Sequence, residues 1–400
     1  MKILLADRLP DFVEEELQAL NFEVISSPNL SADDLPEAVG GVQVLVVRST
    51  RVTAEAIEAA DSLQLVIRAG AGTNTIDCAA AAGRAVHVAN CPGKNAVAVA
   101  ELTLGLILSL DRNIPDNVMS MRGGRWEKKK YGKSKGLFGQ TIGILGMGRI
   151  GAEVASRAQA FGMECIAWSR SLSDERAQEL GVTRCDSVGD VCEHADVVVV
   201  HLAYSEDTRH IVGEAEIKRM KPGAMLVHMA RGGVVDDKAM LSAVREGRIR
   251  AAADVFEEEP KGGSADYEGP FKDADGFYGT HHIAASTEQA QSAVASEVVR
   301  IVAQWLETGT VANCVNRSGR SPAKGQIIVR HLDRIGVLAS VLDVLKSDNI
   351  SVKEMRNTIF DETGAASATI KLDQEPSEGL LERINQGSED ILGVVWLPFD

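Results

Sequence analysis

Three polar side chains, far apart in the sequence, each stand just after a run of apolar residues. Arg231 follows Met225-Leu-Val-His228, Glu259 follows Asp254-Val-Phe, and His282 opens the sequence His-Ile-Ala-Ala-Ser-Thr. An arginine can hold a carboxylate by two parallel hydrogen bonds. A histidine can accept a hydroxyl proton, and a nearby glutamate can fix the orientation of its ring. Together the three residues predict oxidation of a 2-hydroxy acid, although each one alone is more often a surface charge or a packed side chain.

A glycine-rich motif predicts the second component that such a reaction needs. The sequence Gly146-Met-Gly148-Arg-Ile-Gly151 has the spacing G-x-G-x-x-G, follows an apolar run, and precedes a helix-forming stretch at 152–161. The first glycine permits a tight turn, the second lets the backbone approach a pyrophosphate, and the third allows close helix–strand packing. Two more apolar strands follow at the spacing of βαβ units, at 165–168 and 196–201. We therefore predict a dinucleotide site here.

Two sets of alternating strands and helices would position these groups. Nearly continuous apolar strands, such as 42–47, are typical of parallel sheets buried on both faces. We predict an α/β fold with two doubly wound parallel-sheet lobes, a Rossmann-type nucleotide domain inserted into a flavodoxin-like substrate domain. The predicted boundaries are 1–95 and 283–315 for the substrate domain and 96–282 for the nucleotide domain. Long helices are expected at about 96–120, between the lobes, and at 287–307.

The C-terminal part predicts a third domain. A polar stretch rich in glycine, serine and proline, residues 316–325, is interpreted as a linker. Beyond it, residues 326–400 follow the order β-α-β-β-α-β, which predicts a ferredoxin-like fold.

Charge and composition exclude several classes of partner. The net charge is −15, from 57 acidic and 42 basic residues, and no long basic tract suggests nucleic acid. No apolar segment is long enough for a membrane span or a signal peptide, so we expect a cytoplasmic protein. The six cysteines form no C-x-x-C pair, which favours reduced structural thiols, and no metal site is predicted.

Several further motifs make the chain similar to the D-2-hydroxyacid dehydrogenase family. The resemblance covers nearly all of the chain and rests on the following segments: Arg48-Ser49 with Arg51, Arg68-Ala-Gly-Ala-Gly72, Pro92-Gly-Lys-Asn95, Ala100-Glu-Leu102, Trp126-Glu-Lys-Lys-Lys130, Met229-Ala-Arg-Gly-Gly-Val-Val-Asp236 and Asp254 to Pro260. It implies an NAD-dependent enzyme of the branch that oxidises 3-phospho-D-glycerate to 3-phosphohydroxypyruvate, the first step of L-serine biosynthesis. The alternatives are an NADPH-dependent hydroxypyruvate or glyoxylate reductase of the same family, and a nucleotide-sensing protein without catalysis.

The resemblance also implies a role for each site residue. His282 would be the acid–base group, Glu259 its partner, and Arg231 the residue that orients the substrate. The implied cofactor contacts are Gly146, Gly148, Arg149, Ile150, Gly151, Ser169, Arg170, Leu202, Met229, Ala230, Arg231, Asp254, His282, Ala284 and Ala285. The implied substrate contacts are Arg48, Ser49, Arg51, Gly70, Ala71, Gly72 and Asn95. Of these, Arg48 and Arg51 would meet a phosphate.

Two departures from the family's pattern concern the active site. His281 stands where proline is usual, directly before the acid–base histidine, but the sequence after His282 favours His282. Ser169-Arg170 replaces the acid that normally binds the ribose of NAD, and Arg170 could attract the 2′-phosphate of NADP. NAD remains the expected cofactor, NADP is the alternative, and Asp174 or Glu175 could replace the missing acid.

The resemblance finally implies effectors and partners. The C-terminal segment resembles an ACT domain, which in this family can bind serine and inhibit, or can serve only in subunit pairing. His331 occupies a serine-binding position, whereas Asp333 and Ser351 stand where responsive members carry asparagine. A homodimer or homotetramer is implied. Lys128 to Lys130 would then either reach a neighbouring subunit's site or form a solvated loop.

Overall fold

The computed structural model of the protein describes residues 1–260, 264–319, 321–360 and 363–399. Its contacts divide the chain into two compact units, Met1–Asn316 and Arg317–Asp400. The residues at the two ends of the predicted linker, 316–325, belong to these units. The side chain of Asn316 accepts a hydrogen bond from Val88 N–H (2.9 Å) and donates one to the Val86 carbonyl (2.8 Å), which attaches it to the first unit. Gly325 already begins a strand of the second unit.

The first unit contains two parallel sheets, and the N-terminal one has five strands. Its strands are β1 Lys2–Leu5, β2 Glu23–Ser26, β3 Val44–Val47, β4 Leu65–Arg68 and β5 His87–Asn90. Its helices are α1 Phe12–Ala19, α2 Leu35–Ala38, α3 Ala54–Ala59 and α4 Cys78–Gly83. The strand order β2-β1-β3-β4-β5 is the flavodoxin-like order that the sequence predicted. This sheet with its helices is called the first lobe below.

The second parallel sheet has seven strands. They are β6 Thr141–Leu145, β7 Glu164–Trp168, β8 Thr183–Arg184, β9 Val197–Val200, β10 Met225–His228, β11 Arg250–Ala253 and β12 Phe277–Gly279. The helices are α5 Ala96–Arg112, α6 Ile114–Arg122, α7 Lys128–Tyr131, α8 Arg149–Ala160, α9 Asp174–Glu179, α10 Val188–His194, α11 Glu214–Arg219 and α12 Asp237–Arg245. The order β12-β11-β10-β9-β6-β7-β8 is of Rossmann type, with its switch point between β6 and β9. This sheet with its helices is the second lobe.

A long helix, α13 (Glu288–Thr308), returns the chain from the second lobe to the first. Its buried residues Val298 and Ile301 share one apolar cluster with Ile3 and Val44 of the first sheet. Gly309 ends the helix in the left-handed conformation, with φ at 67°. The helix predicted at 287–307 is therefore present, shifted by one residue.

The helix predicted at 96–120 is wrong as a single element, because the chain breaks at Asn113. That residue is left-handed (φ 49°) and separates α5 from α6. Pro115 explains the break, since it has no N–H to donate to the carbonyl four residues earlier and its ring clashes with that carbonyl, whereas proline is tolerated in the first turn of α6. Two smaller differences follow. The fingerprint helix starts at Arg149 rather than 152, and Lys128 to Lys130 form the short helix α7 rather than a loop.

The second unit is an antiparallel sheet covered by two helices. Its elements are β13 Gly325–Leu332, α14 Val337–Ser347, β14 Val352–Ile359, β15 Ala365–Leu372, α15 Leu380–Gln386 and β16 Ile391–Pro398. The strand order β14-β15-β13-β16 is that of the predicted ferredoxin-like fold. Alternate residues of β13 and β15, such as Ile327 and Ile370, pack against Val341 and Leu345 of α14. Within the described parts of both units, no helix combines the length and apolar character needed to cross a membrane.

Candidate active site

The imidazole of His282 and the carboxylate of Glu259 form a direct pair. His282 Nδ1 lies 2.8 Å from Glu259 Oε2, and the Phe256 N–H donates to Glu259 Oε1 at 3.1 Å. Burial acts to raise the pKa of Glu259, but the bonds from His282 and Phe256, with the charge of Arg231 nearby, hold it below its usual value. Glu259 is therefore ionised near neutral pH. Its bond to Nδ1 leaves Nε2 as the ring nitrogen available to a substrate.

A cavity of about 320 Å³ opens in front of His282 and is lined by both lobes. Most of the residues that the sequence placed near substrate or nicotinamide line it: Arg48, Ser49, Gly70, Ala71, Asn95, Ile150, Met229, Arg231, Asp254, His282, Ala284 and Ala285. These residues follow strands of two different sheets, so the carboxyl ends of both sheets meet at one cavity. Exposed His281 does not line it and instead borders a second cavity behind His282.

Asp254 fixes the segment that carries His282. It is 1% exposed and follows β11 directly. Its Oδ1 accepts from the Thr280 hydroxyl (2.6 Å) and the Ile283 N–H (2.9 Å), and its Oδ2 accepts from the Ala284 N–H (2.9 Å). These bonds hold the chain on both sides of His282, which has a left-handed backbone (φ 54°). The carboxylate of Asp254 thus orients the acid–base residue through its backbone.

Four arginines converge on the cavity: Arg8, Arg48, Arg68 and Arg231. Burial lowers the pKa of Arg68, and the charges of Arg231 and Arg48 lower it further, so these guanidinium groups lie close together. None of the four belongs to an ion pair of the described residues. The nearby Asp7 carboxylate accepts instead from the N–H groups of residues 48–50 and from a serine hydroxyl. The cavity is therefore strongly cationic.

The basic residues of the cavity differ from those that the sequence singled out. Arg51 is exposed and does not line the cavity, because Val52 beside it pairs with residues 75 and 76 and takes the chain away. Arg8 and Arg68 line it instead. Both follow the rule used for the catalytic residues, since Arg8 comes shortly after β1 and Arg68 is the last residue of β4. The rule could have found them.

The glycine fingerprint has the local geometry of a phosphate cradle. Gly146 has φ 105°, and a Cβ there would lie 2.9 Å from the His201 carbonyl and 3.1 Å from the Leu202 nitrogen. A Cβ at Gly151 would overlap the Gly146 carbonyl, whereas the space beside Gly148 is open. Among the residues that the structure describes, no side chain caps the first turn of α8, so its N–H groups are available to an anion. These features fit a dinucleotide pyrophosphate.

Other predicted cofactor contacts lie around this cradle. The guanidinium of Arg149 donates to the Pro92 carbonyl and so joins the fingerprint to the first lobe. Arg231 Nη1 donates to the Ala230 carbonyl at 2.7 Å, and a Cβ at Gly72 would lie 3.3 Å from Arg231 Nη2.

Ser169 and Arg170 come directly after β7, where an acid would bind the ribose of NAD. Arg170 Nη1 is 3.9 Å from Asp207 Oδ2, and both side chains are more than four-fifths exposed. Such a solvated pair is weak, so Arg170 remains available to a 2′-phosphate. Asp174, a candidate for the missing acid, lies 3.4 Å from Arg184 Nη1.

The three predicted effector residues of the second unit do not come together within one chain. His331 is buried, and its Nε2 lies 3.1 Å from Asn357 Oδ1. His331 pairs with Ala366, whereas Ser351 precedes Val352, which pairs with Leu372 six residues away. That separation puts Ser351 about 20 Å from His331 along the sheet. Asp333 lies at the His331 end.

Comparison with known proteins identifies the family. The family model described as D-isomer specific 2-hydroxyacid dehydrogenase, NAD binding domain, matches residues 104–284. A hydroxypyruvate reductase of Thermotoga maritima is 40% identical over 284 residues, which cover 70% of this chain and 90% of that protein. The chain belongs to the D-isomer specific 2-hydroxyacid dehydrogenase family.

The chain is also similar to a second relative and to a solved structure. A D-3-phosphoglycerate dehydrogenase of Methanocaldococcus jannaschii is 40% identical over 318 residues, or 79% of this chain. The chain spans only 59% of the length of that relative. The crystal structure of the PH0520 protein from Pyrococcus horikoshii is 31% identical with a TM-score of 0.66, covering 79% of this chain and 95% of that one.

Proposed function

We propose that this 2-hydroxyacid dehydrogenase oxidises 3-phospho-D-glycerate to 3-phosphohydroxypyruvate with NAD, the first step of L-serine biosynthesis. The observation that carries the proposal is the group of four arginines beside the Glu259–His282 pair, which have no ion-pair partner in the part of the chain that the structure describes. A phosphorylated 2-hydroxy acid carries a carboxylate and a phosphate, which would offset the charge of these guanidinium groups. The similarity to D-3-phosphoglycerate dehydrogenases supports the same substrate.

Each residue of the site would have its own role in this reaction. Arg231 would hold the carboxylate and the 2-oxygen, while the arginines of the first lobe would hold the phosphate. His282 Nε2 would take the proton of the 2-hydroxyl group, and Glu259 would stabilise the resulting imidazolium. The nicotinamide, held at the fingerprint, supplies the hydride acceptor. Oxidation needs the neutral imidazole and reduction needs the protonated one, so the proposed direction is favoured as pH rises.

The substrate assignment is tested by comparing steady-state rates on 3-phosphoglycerate and on D-glycerate. We expect Arg48→Met and Arg68→Met to lower kcat/KM for the phosphorylated substrate about 10- to 150-fold, the effect of one lost charge-assisted contact. Both variants should change kcat/KM for D-glycerate much less. Arg51→Met serves as the comparison, and we expect little effect because Arg51 lies outside the cavity. Equal losses on both substrates would contradict a phosphate role.

An NADPH-dependent hydroxypyruvate or glyoxylate reductase is the second candidate. Ser169 and Arg170 favour it, since neither repels a 2′-phosphate, and the hydroxypyruvate reductase of T. maritima is a relative. Rates with NAD and NADP, and with hydroxypyruvate and its phosphate, separate the two candidates. Ser169→Asp should shift the selectivity toward NAD, because a carboxylate would bond the ribose hydroxyls and repel the phosphate.

We further propose a homodimer or homotetramer in the cytoplasm, where the six free cysteines would remain reduced. Serine inhibition is proposed only for an assembly, because Ser351 lies at the opposite end of the sheet from His331 and Asp333 of the same chain. Sedimentation measures the assembly, and a serine titration of the rate tests the effector. Inhibition that persists in a monomer would contradict this arrangement.

A further inference from the structure

A second group of titratable side chains lies behind the Glu259–His282 pair and takes no part in the proposed reaction. Its centre is Glu257, whose Oε1 lies 2.9 Å from His210 Nε2 and accepts from the Asp237 N–H at 3.2 Å. The exchange is reciprocal, since the Glu257 N–H donates to Asp237 Oδ2 at 2.9 Å. Two bonds therefore join Glu257 to the first residue of α12, and a third joins it to His210.

The cluster adjoins two segments of the active site, the one that carries Glu259 and the one that follows Arg231. Glu257 lies between Phe256, whose N–H holds the Glu259 carboxylate, and Glu259 itself. The backbone that follows Arg231 lies in close contact with Phe256, because a Cβ at Gly232 would overlap the Phe256 carbonyl. A displacement of Glu257 would therefore move the partner of His282 and the segment after Arg231 together.

The cluster contains a buried carboxyl group whose charged form is disfavoured. Asp237 is 7% exposed, and its Oδ1 has no hydrogen-bond partner among the described residues. Burial raises the pKa of Asp237 to about 6, with the charges of Glu257 and Asp236 adding to the rise. The titratable groups that face it are Asp236, Glu257, His210 and Tyr267.

We propose that Glu257, held by His210 and Asp237, is a positioning residue of the reaction. It fixes the 256–259 segment so that Glu259 keeps the His282 ring oriented while Arg231 stays in register. This inference rests on the proposed dehydrogenase function. Glu257 touches neither substrate nor cofactor in this role and acts only through Glu259 and the backbone.

The test compares Glu257→Ala, Glu257→Gln and the neighbouring control Glu258→Ala in the full-length protein. Glutamine keeps an oxygen acceptor for both donors, whereas alanine removes it. We expect Glu257→Ala to lower kcat about 10- to 100-fold, as for a small misplacement of a reacting group, with KM for the dinucleotide unchanged. Glu257→Gln should restore most of the rate, and Glu258→Ala should leave it at the wild-type value.

A kinetic isotope effect separates positioning from loss of folded protein. With substrate deuterated at C2, slower hydride transfer raises the isotope effect on kcat, whereas a smaller folded fraction lowers kcat without changing it. We therefore expect a larger isotope effect in Glu257→Ala. His210→Asn is the second variant, because asparagine tolerates the left-handed backbone of His210 (φ 50°). His210→Asn should lower kcat and raise the isotope effect as Glu257→Ala does, but both changes should be smaller.

Amide hydrogen exchange gives a readout that does not depend on turnover. Glu257→Ala should speed exchange in the peptides that carry Glu259 and His282, and Glu258→Ala should not. Unchanged exchange there, or a wild-type isotope effect in Glu257→Ala, would overturn the positioning role. If the proposed function is wrong, the wild-type protein will oxidise no 2-hydroxy acid. The exchange comparison would still decide whether Glu257 positions the segments that carry Glu259 and His282.

Discussion

His228, the last residue of β10, predicts an acid-sensitive second lobe. Its side chain is fully buried, and neither ring nitrogen has a hydrogen-bond partner among the described residues. Burial lowers the pKa of His228 from 6.5 to about 4, although the backbone of Arg231 and the charge of Glu259 oppose this effect. The folded chain therefore keeps the ring neutral in a pH range where the unfolded chain protonates it.

The size of the effect follows from proton linkage. Above pH 6.5 neither state binds the proton, and the residue adds no pH dependence. Between pH 6.5 and pH 4 only the unfolded state binds it, so the free energy of unfolding falls by about 1.4 kcal/mol per pH unit. The loss attributable to His228 is about 2 kcal/mol at pH 5 and approaches about 3 kcal/mol below pH 4.

Urea unfolding at several pH values between 4.5 and 8 measures this slope in wild type and in His228→Asn. The variant should be less stable at pH 8, because a buried ring is lost, but its stability should fall less steeply with acid. Val227→Ala, from the same buried strand, is the control that lowers stability equally at every pH. If His228→Asn and wild type have parallel pH dependences, the buried neutral histidine is not the cause.

Three further outcomes can be checked directly. Asp254→Asn should lower the free energy of unfolding by about 2 kcal/mol, since an amide cannot accept from all three donors, and should lower kcat, as measured by denaturation and initial rates. Hydrogen bonds from Arg300 help to lower the pKa of Glu297 to about 2, so Glu297→Gln should destabilise the protein at pH 7 and have little effect at pH 2. Burial raises the pKa of Cys91 and Cys192 to about 12, so both should resist a disulfide thiol reagent at pH 8 until urea is added.

The strand pattern and the fingerprint could be predicted from the sequence because their causes are local. Four consecutive valines in β9, or the glycines around Gly146, leave few other conformations or environments. The end of α5 was missed for an equally local reason, since Pro115 already predicts a break near Asn113. The apolar run of α5 favoured a single long helix and outweighed the proline in the prediction. The lobe boundaries and the roles of individual site residues stay predictions.

The rule that site residues come at or after strand ends offers Arg8, Arg48 and Arg68 as candidates, but the exclusion of Arg51 needed the fold. Arg51 resembles Arg48 in charge and position along the chain, yet the bridge at Val52 carries it to the surface. The contact between Glu257 and Asp237 could not be predicted from the sequence either, since a run of three glutamates does not show which one bonds to Asp237. Only the pairing across twenty residues distinguishes them.

The distribution of charged residues between the lobes suggests how one substrate molecule would contact both lobes. Arg8, Arg48 and Arg68 follow strands of the first lobe, whereas Arg231 and His282 follow strands of the second. A small molecule with an anionic group at each end would therefore contact both lobes at once. A substrate without the second anionic group would satisfy Arg231 but leave the half-buried Arg68 guanidinium without an anionic partner. Since an unpaired buried charge is costly, the first lobe itself would favour the phosphorylated substrate over its unphosphorylated analogue.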